Sequence, residues 1–409
     1  MVVSAAAEYN PFHNGHMRHI ELSKFKSGCD YFIAVMGGNF TQRGEPAIFD
    51  KHTRARAALL GGADLVIELP TAYACASAEY FARGAVSVIK NSGVSDAICF
   101  GAESGDARGL AALAGFFYNG GETYKAALKK HLSGGVSYPA ARKRAAAETD
   151  GMLDASLLDS PNNILGVEYL KACLELGYDA RVFAIERDSD HRGDTITSGN
   201  VSAAAVRKAI LTGGLDGAAA AVPGEAFALY QNAIASGNGP YTIDGLSRIL
   251  RYIVATRGAE YLKNIFEVSE GLENRVAASS DKFFYIRDMI ADIKTKRYTL
   301  TKIYRVMTHI ILDITKDEFE AYEAAGGPQY IRVLGFKKSS ERLLGLLSKK
   351  ARLPLVINLK DDMKKLPPLA ASMLKREIEA GDVFYMANAG ANAAPRERGY
   401  EYRVPVAVV

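Results

Sequence analysis

"AEYNPFHNGHMRHI", residues 7–20, decides how the rest of the chain is read. The chain holds seven histidines in 409 residues, and three of them, His13, His16 and His19, fall in this one stretch. It follows a short apolar run, Val2 to Ala7. It leads into His16 to Lys26, where Ile20, Leu22 and Phe25 stand at helical spacing among polar neighbours. A strand, a polar turn and a helix are expected in that order, with the histidines at the turn.

That placement suits phosphate chemistry. Two imidazoles three residues apart at a strand-to-helix turn can face one ligand, and Gly15 removes a Cβ that would hold a phosphate away from the backbone. The free N–H groups and the dipole of the following helix favour an anion at the same place. Histidines that are protonated or donate an N–H stabilise the charge that builds during displacement at an α-phosphorus, so the spacing fits adenylyl transfer. A metal site is the weaker reading, because no Asp, Glu or Cys stands at an obvious third-ligand spacing. Helix capping without chemistry is the bland alternative for four residues taken alone.

Working outward, the first half alternates apolar strand candidates with helix candidates. "YFIAVMG", "LVIELP", "AICFG" and "ARVFAIER" follow the first strand, separated by segments such as Lys51 to Leu60 and Ala76 to Asn91. This alternation predicts an α/β, Rossmann-like domain with a parallel sheet. Ligands bind beyond the carboxyl ends of strands in such sheets, which independently puts the histidine turn at the ligand edge. After about residue 215 the texture becomes helical with few strand signals, so the expected division is 1–215 for nucleotide chemistry and 216–409 for a mainly helical, basic region. "MANAGANAAPRERG" near the end reads as a mobile loop.

Composition narrows the class. A net charge of +4 does not by itself mark a nucleic-acid binder, so any such surface has to be local. The most basic stretch runs from Gln329 to Lys365. The four cysteines form no CxxC pair and read as reduced thiols. No basic-then-apolar leader and no uncharged run of about 18 residues is present, which points to a cytoplasmic protein with no membrane partner.

Longer context sharpens the reading. The opening stretch, "VMGGNFTQRGEPAIFDKHTRARAALLGGADLVIELP", "SAEYFARGAVSVIKNSGVSDAICFGAES", "SPNNILGVEYLKA", "TKRYTLTKIYRVMTHIIL" and "YIRVLGFKKSS" together closely resemble the bacterial tRNA(Met) cytidine acetate ligases. That family belongs to the HIGH-type nucleotidyltransferase superfamily, with "HNGH" as its signature. Three departures stand out: "SAAA" before Glu8 in place of bulkier aliphatics, Gly37 where Ser is expected, and His52 where an aromatic is expected, the last a possible change to the substrate pocket.

The resemblance implies an ATP-dependent ligase. Acetate and ATP would give acetyl-adenylate and pyrophosphate, and the acetyl group would pass to N4 of the wobble cytidine of elongator tRNA(Met). His13 and His16 would be catalytic, with Ser202 and Arg207 in "VSAAAVRKAI" matching the superfamily's second signature. ATP would contact Ala7, Glu8, Tyr9, Asn10, Pro11, Phe12, His13, Asn14, Gly15, His16, Met17, Arg18, His19 and Ile20. Gly101, Asn162 and Arg187 would add single contacts, with Asn163 chemically as good as Asn162.

Magnesium is compatible with this chemistry, and no protein metal site is expected. In the polar segment after the second strand, Asn39, Gln42, Arg43, Asp50, Lys51 and Arg54 are candidates for holding acetate or cytidine. For tRNA, phosphate and loop-base contacts are expected from Lys294, Lys296, Arg297, Lys302 and Arg305, interleaved with Tyr298 and Tyr304, and from Lys337, Lys338, Lys349 and Lys350. The competing function is a small-molecule adenylyltransferase of the same superfamily, against which the long basic second half argues.

Overall fold

The computed structural model describes residues 1–187, 202–387 and 396–409. The loop expected near residues 386–399 lies largely outside them. Five apolar runs form the parallel core of one sheet: β1 (Val2–Ala7), β2 (Tyr31–Gly37), β3 (Leu65–Leu69), β4 (Ala97–Ala102) and β5 (Arg181–Glu186). Their spatial order is β5-β4-β1-β2-β3. The chain therefore walks from β1 to β3 in one direction and returns to lay β4 on the other side of β1, which opens a crevice at their carboxyl ends.

Alternation sends neighbouring side chains to opposite faces. Val2, Ile33 and Ile67 join the core under the helices Ala78–Ser92 and Pro161–Glu175, whereas Val3, Phe32 and Val66 join the core under Asn14–Ser27 and Lys51–Leu60. Each such residue contributes roughly 1.5–3 kcal/mol by leaving water. The helix expected at His16 to Lys26 runs from Asn14 to Ser27 and stops at Gly28, whose φ of 63° suits glycine. The helix Lys51–Leu60 has the expected bounds, and Asp50 caps it by accepting from the His52 and Thr53 amides.

Residues 216–330 are helical, as their spacing suggests, and build a third core from residues such as Leu250, Val276, Ile290 and Val306. The chain then returns to the sheet. β6 (Ile331–Phe336) lies antiparallel on β3, while β7 (Leu355–Val356) and β8 (Ala407–Val408) pair with β6. The sheet is thus mixed at this side.

A buried ionic cluster fastens the returning segment. Lys51 Nζ stands 2.6 Å from Glu68, 2.8 Å from Glu401 and 3.2 Å from Glu377. Arg332 reaches the other oxygens of Glu68 and Glu401 at 2.9 and 2.7 Å. Burial and the neighbouring Glu377 push Glu68 up to about 7, so a proton on Glu68 leaves two cations facing two carboxylates.

Candidate active site

A cavity of about 590 Å³ opens at the carboxyl ends of β1, β4 and β5, within the range of small-ligand sites. Ala5, Ala6 and Ala7 at the end of β1 form part of its wall. The small side chains that depart from the family pattern therefore border the ligand space directly.

The opening motif turns sharply here. Tyr9 has a φ of 49°, a backbone conformation uncommon outside glycine and often held at functional sites. Side chains from three other segments hold the turn. Arg54 donates to the carbonyls of Glu8, Gly37, Gly38 and Phe49. Arg207 Nη1 donates to Asn10 O at 2.8 Å. Tyr230 accepts from the Phe12 amide at 2.9 Å, and its own hydroxyl lies 3.2 Å from Phe12 O. Phe12 itself is buried with its ring against Gly61, where a Cβ would stand 2.2 Å from the ring.

The histidines are fixed by the helix they begin. His13 is the N-cap: its Nδ1 accepts from the Gly15 amide at 3.0 Å, while His16 Nδ1 accepts from the His13 amide at 3.3 Å. In the neutral state both rings must then carry their proton on Nε2. Burial, followed by the Arg187 and Arg207 guanidinium groups, lowers His13 to about 3. Burial, His13 and Arg187 hold His16 well below its ordinary value, and burial with Arg187 brings His19 to about 4. These are neutral N–H donors rather than imidazolium ions. His13 Nε2 has no hydrogen-bond partner among the described residues.

Of the expected ATP contacts, Ala7, Glu8, Tyr9, Asn10, Gly15, His16, Arg18, His19, Gly101, Asn162 and Arg187 line the cavity. Pro11, Phe12, His13, Asn14, Met17 and Ile20 do not line it: Phe12, His13 and Ile20 are buried, and Asn14 donates to Ala220 O at 3.0 Å. Asn162 and Asn163 separate cleanly. Asn162 faces the cavity and donates to Glu103 at 2.7 Å, whereas Asn163 is buried and accepts from the Glu103 and Ser104 amides.

Two expected roles change. The space left by Gly101 holds the Arg187 side chain, since a Cβ there would lie 3.0 Å from Arg187 Cδ. The Gly15 amide is engaged by His13 and is not free for a phosphate.

Ser202 lines the cavity and also caps the helix Ala203–Gly213 through the Ala205 amide. Arg207 lines it too, five residues on. In the polar segment after β2, Gln42 and Arg43 reach the cavity with Thr41 and Glu45, while Asn39, Asp50, Lys51 and Arg54 are buried in structural bonds. His52 does not line the cavity. It faces Glu401 at 3.9 Å, so this departure bears on the ionic cluster rather than the pocket. Thr41, Glu45, Tyr169 and Thr301 were not expected in the wall; they come together only through the fold.

The basic residues divide. Lys294, Lys296 and Arg297 are exposed just before the helix Leu300–Leu312, whose Thr301 lines the cavity. Arg297 pairs with Glu270 at 2.8 Å, and half-buried Lys302 donates to Ser269 at 3.0 Å. Arg305 is buried and paired with Glu267 at 2.7 Å, a structural ion pair rather than a surface cation, and Tyr298 is buried as well.

Lys337 and Lys338 follow β6, whose end pairs with the start of β3, and the Lys337 amide donates to Asp64 O. Lys349 and Lys350 lie near Gly93, which precedes β4. All four lysines therefore stand at the sheet edge opposite the cavity. Among the described residues no three His, Cys, Asp or Glu side chains converge as a metal site, and no helix is long and apolar enough to cross a membrane.

Comparison with known proteins agrees with this geometry over the whole chain. The HIGH Nucleotidyl Transferase family model matches residues 1–398. A tRNA(Met) cytidine acetate ligase of Acetivibrio thermocellus is 38% identical over 408 residues, covering 98% of each chain. One from Caldanaerobacter subterraneus subsp. tengcongensis is 39% identical over 388 residues, 93% of this chain and 94% of the relative. The crystal structure of Thermotoga maritima TmcAL bound with alpha-thio ATP superposes with a TM-score of 0.92 at 32% identity, covering 100% of this chain and 99% of that one. With a parallel sheet that carries His13 and His16 at its crevice and relatives alike from end to end, the chain belongs to the HIGH nucleotidyl transferase family, among its tRNA(Met) cytidine acetate ligases.

Proposed function

We propose that this enzyme joins acetate to ATP as acetyl-adenylate in the cavity and passes the acetyl group to N4 of the wobble cytidine of elongator tRNA(Met). The observation that carries the reading is the neutral, Nε2-protonated imidazole of His16 in one cavity wall with Arg187 and Arg207, with the like imidazole of His13 packed against it. An acetate oxygen attacks the α-phosphorus and pyrophosphate leaves. Neutral donors and fixed guanidinium groups stabilise the charge gathered there. Cytidine N4 then attacks the acetyl carbonyl, loses its proton, and AMP departs with the electron pair of the broken C–O bond. A neutral aromatic amine is a poor nucleophile, which is why the acetyl group needs AMP as its leaving group.

In this reading Ser202 and Arg207 act on the β- and γ-phosphates and Asn162 on a base edge, and a magnesium ion brought with ATP would supply further charge neutralisation. The division of labour is catalysis chiefly in residues 1–215, with Thr301 and the strands β6 to β8 lent by the second half, and tRNA contact in 216–409, in the cytoplasm. Of the two basic sets, Lys294, Lys296, Arg297 and Lys302 stand on the cavity's side of the molecule. Incubation with labelled acetate, ATP and total tRNA, without acetyl-CoA, should place N4-acetylcytidine at the wobble position. An unmodified cytidine, with AMP joined to a phosphorylated metabolite, would refute the reading.

A further inference from the structure

Two large aromatic side chains of the helical region lie outside its core. Phe284 and Tyr285 immediately precede the helix Ile286–Ile293, whose Ile286, Met289, Ile290 and Ile293 are buried, yet the two rings are 42% and 45% exposed. They meet edge to face with centroids 5.1 Å apart. Arg251 stands over the Phe284 ring at 5.5 Å and Arg287 over the Tyr285 ring at 5.4 Å. Tyr252, beside Arg251, is 69% exposed.

The cavity wall reaches the same helical region through Thr301. Arg287 is fixed by Asp244, which accepts from its backbone amide and its Nε, each at 3.0 Å. Half-buried Tyr304 lies on the helix Leu300–Leu312, three residues after Thr301 in the cavity wall; burial, then the charges of Glu45 and Asp244, raise its phenol. The wall segment also rests on the Tyr304 helix: a Cβ on Gly44 would lie 2.2 Å from the Arg305 amide, and Thr308 donates to Gly44 O at 2.7 Å.

We propose that Phe284 and Tyr285, with Arg251 and Arg287, form a stacking platform for unstacked bases of the RNA loop whose cytidine enters the cavity past Tyr304. The inference rests on the reading above that the substrate is a tRNA. Exposed rings offer faces to any base, and guanidinium planes stack on bases while meeting phosphates. Arg248 and Arg251 have no carboxylate partner among the described residues, which leaves their charge for a polyanion. A buried apolar partner would leave these guanidinium groups desolvated without counter-charges, so an RNA loop fits the surface better than a protein face.

The test is tRNA binding by the full chain across a salt series. Phe284→Ala with Tyr285→Ala should weaken binding about tenfold or more, without changing the slope against salt, because stacking is lost and no charge is removed. Phe284→Tyr with Tyr285→Phe, which keeps both rings, should bind like wild type. Arg248→Glu with Arg251→Glu should make the slope shallower. The inference is overturned if the alanine pair binds within twofold of wild type, or if it abolishes self-association in sedimentation while sparing tRNA. Whether the substrate reading holds is decided separately, by whether wild type makes N4-acetylcytidine from acetate and ATP.

Discussion

The imidazoles of His13 and His16 lie with centroids 3.8 Å apart, tilted by 36°, and each takes a backbone N–H on Nδ1. One capping arrangement starts the helix and sets which nitrogen can donate. The site is therefore preorganised before ATP arrives, with neutral donors whose protonation does not have to change during the first displacement.

His13→Asn isolates that role. Asparagine is itself a good N-cap, so the helix start is retained while the Nε2 donor is lost. Acetate-dependent exchange of pyrophosphate into ATP should slow by about a hundredfold, as expected for roughly 3 kcal/mol from one preorganised donor. The melting temperature should change little. Exchange at the wild-type rate would remove His13 from the chemistry.

Acid should unfold the protein partly through these same rings. His13 and His19 are held to about 3 and about 4 when folded, against an ordinary value of 6.5, so between these limits the unfolded chain binds more protons. Their contribution is complete above about pH 6.5 and is lost progressively as pH falls toward 3. Thermal melts from pH 8 to 4 should show stability declining below about pH 6.5. The decline should be shallower in His19→Asn, and an identical profile there would assign acid sensitivity to other groups.

Salt dependence separates the basic surfaces. Reversing Lys294, Lys296 and Arg297 to Glu should weaken tRNA binding and lessen the slope of log affinity against log salt by about 0.7–0.9 for each phosphate that is no longer neutralised. Reversing Lys349 and Lys350, at the far edge of the sheet, should leave the slope near wild type. Equal effects from both sets would mean that tRNA wraps past the sheet edge.

Much of this was legible beforehand because it is local. An apolar run, a glycine and two histidines at fixed spacing specify the strand-to-helix turn, whereas Asp50, expected at the ligand, turns out to cap the helix Lys51–Leu60. The cavity wall was less so. Thr41, Glu45, Tyr169 and Thr301 meet only after residues far apart in sequence pack together. β6 escaped notice because its six residues, "IRVLGF", sit inside the most basic stretch, where charge obscures a short buried strand. Arg305 misled for the opposite reason: a cation in a basic run reads as surface until Glu267 is found against it.

Removing one partner from the buried cluster should be severe. Glu401→Ala leaves Lys51 and Arg332 facing too few carboxylates, and such losses destabilise by about 3–5 kcal/mol. Urea unfolding should show this as a lower midpoint with an unchanged slope. A midpoint like that of wild type would mean that water or rearrangement satisfies the cations.

That cluster also sets an order on synthesis. Lys51 and Glu68 are made early, but the carboxylates and the guanidinium that neutralise and bind them arrive with residues 332, 377 and 401, and Ala407–Val408 then pairs with β6. A ribosome partway along the message exposes a nucleotide-binding half whose interior Lys51 has Glu68 but lacks Glu377 and Glu401, and whose β3 edge is bare. ATP affinity should therefore arise late and abruptly during translation, when the sheet closes, rather than when the last histidine of the motif emerges.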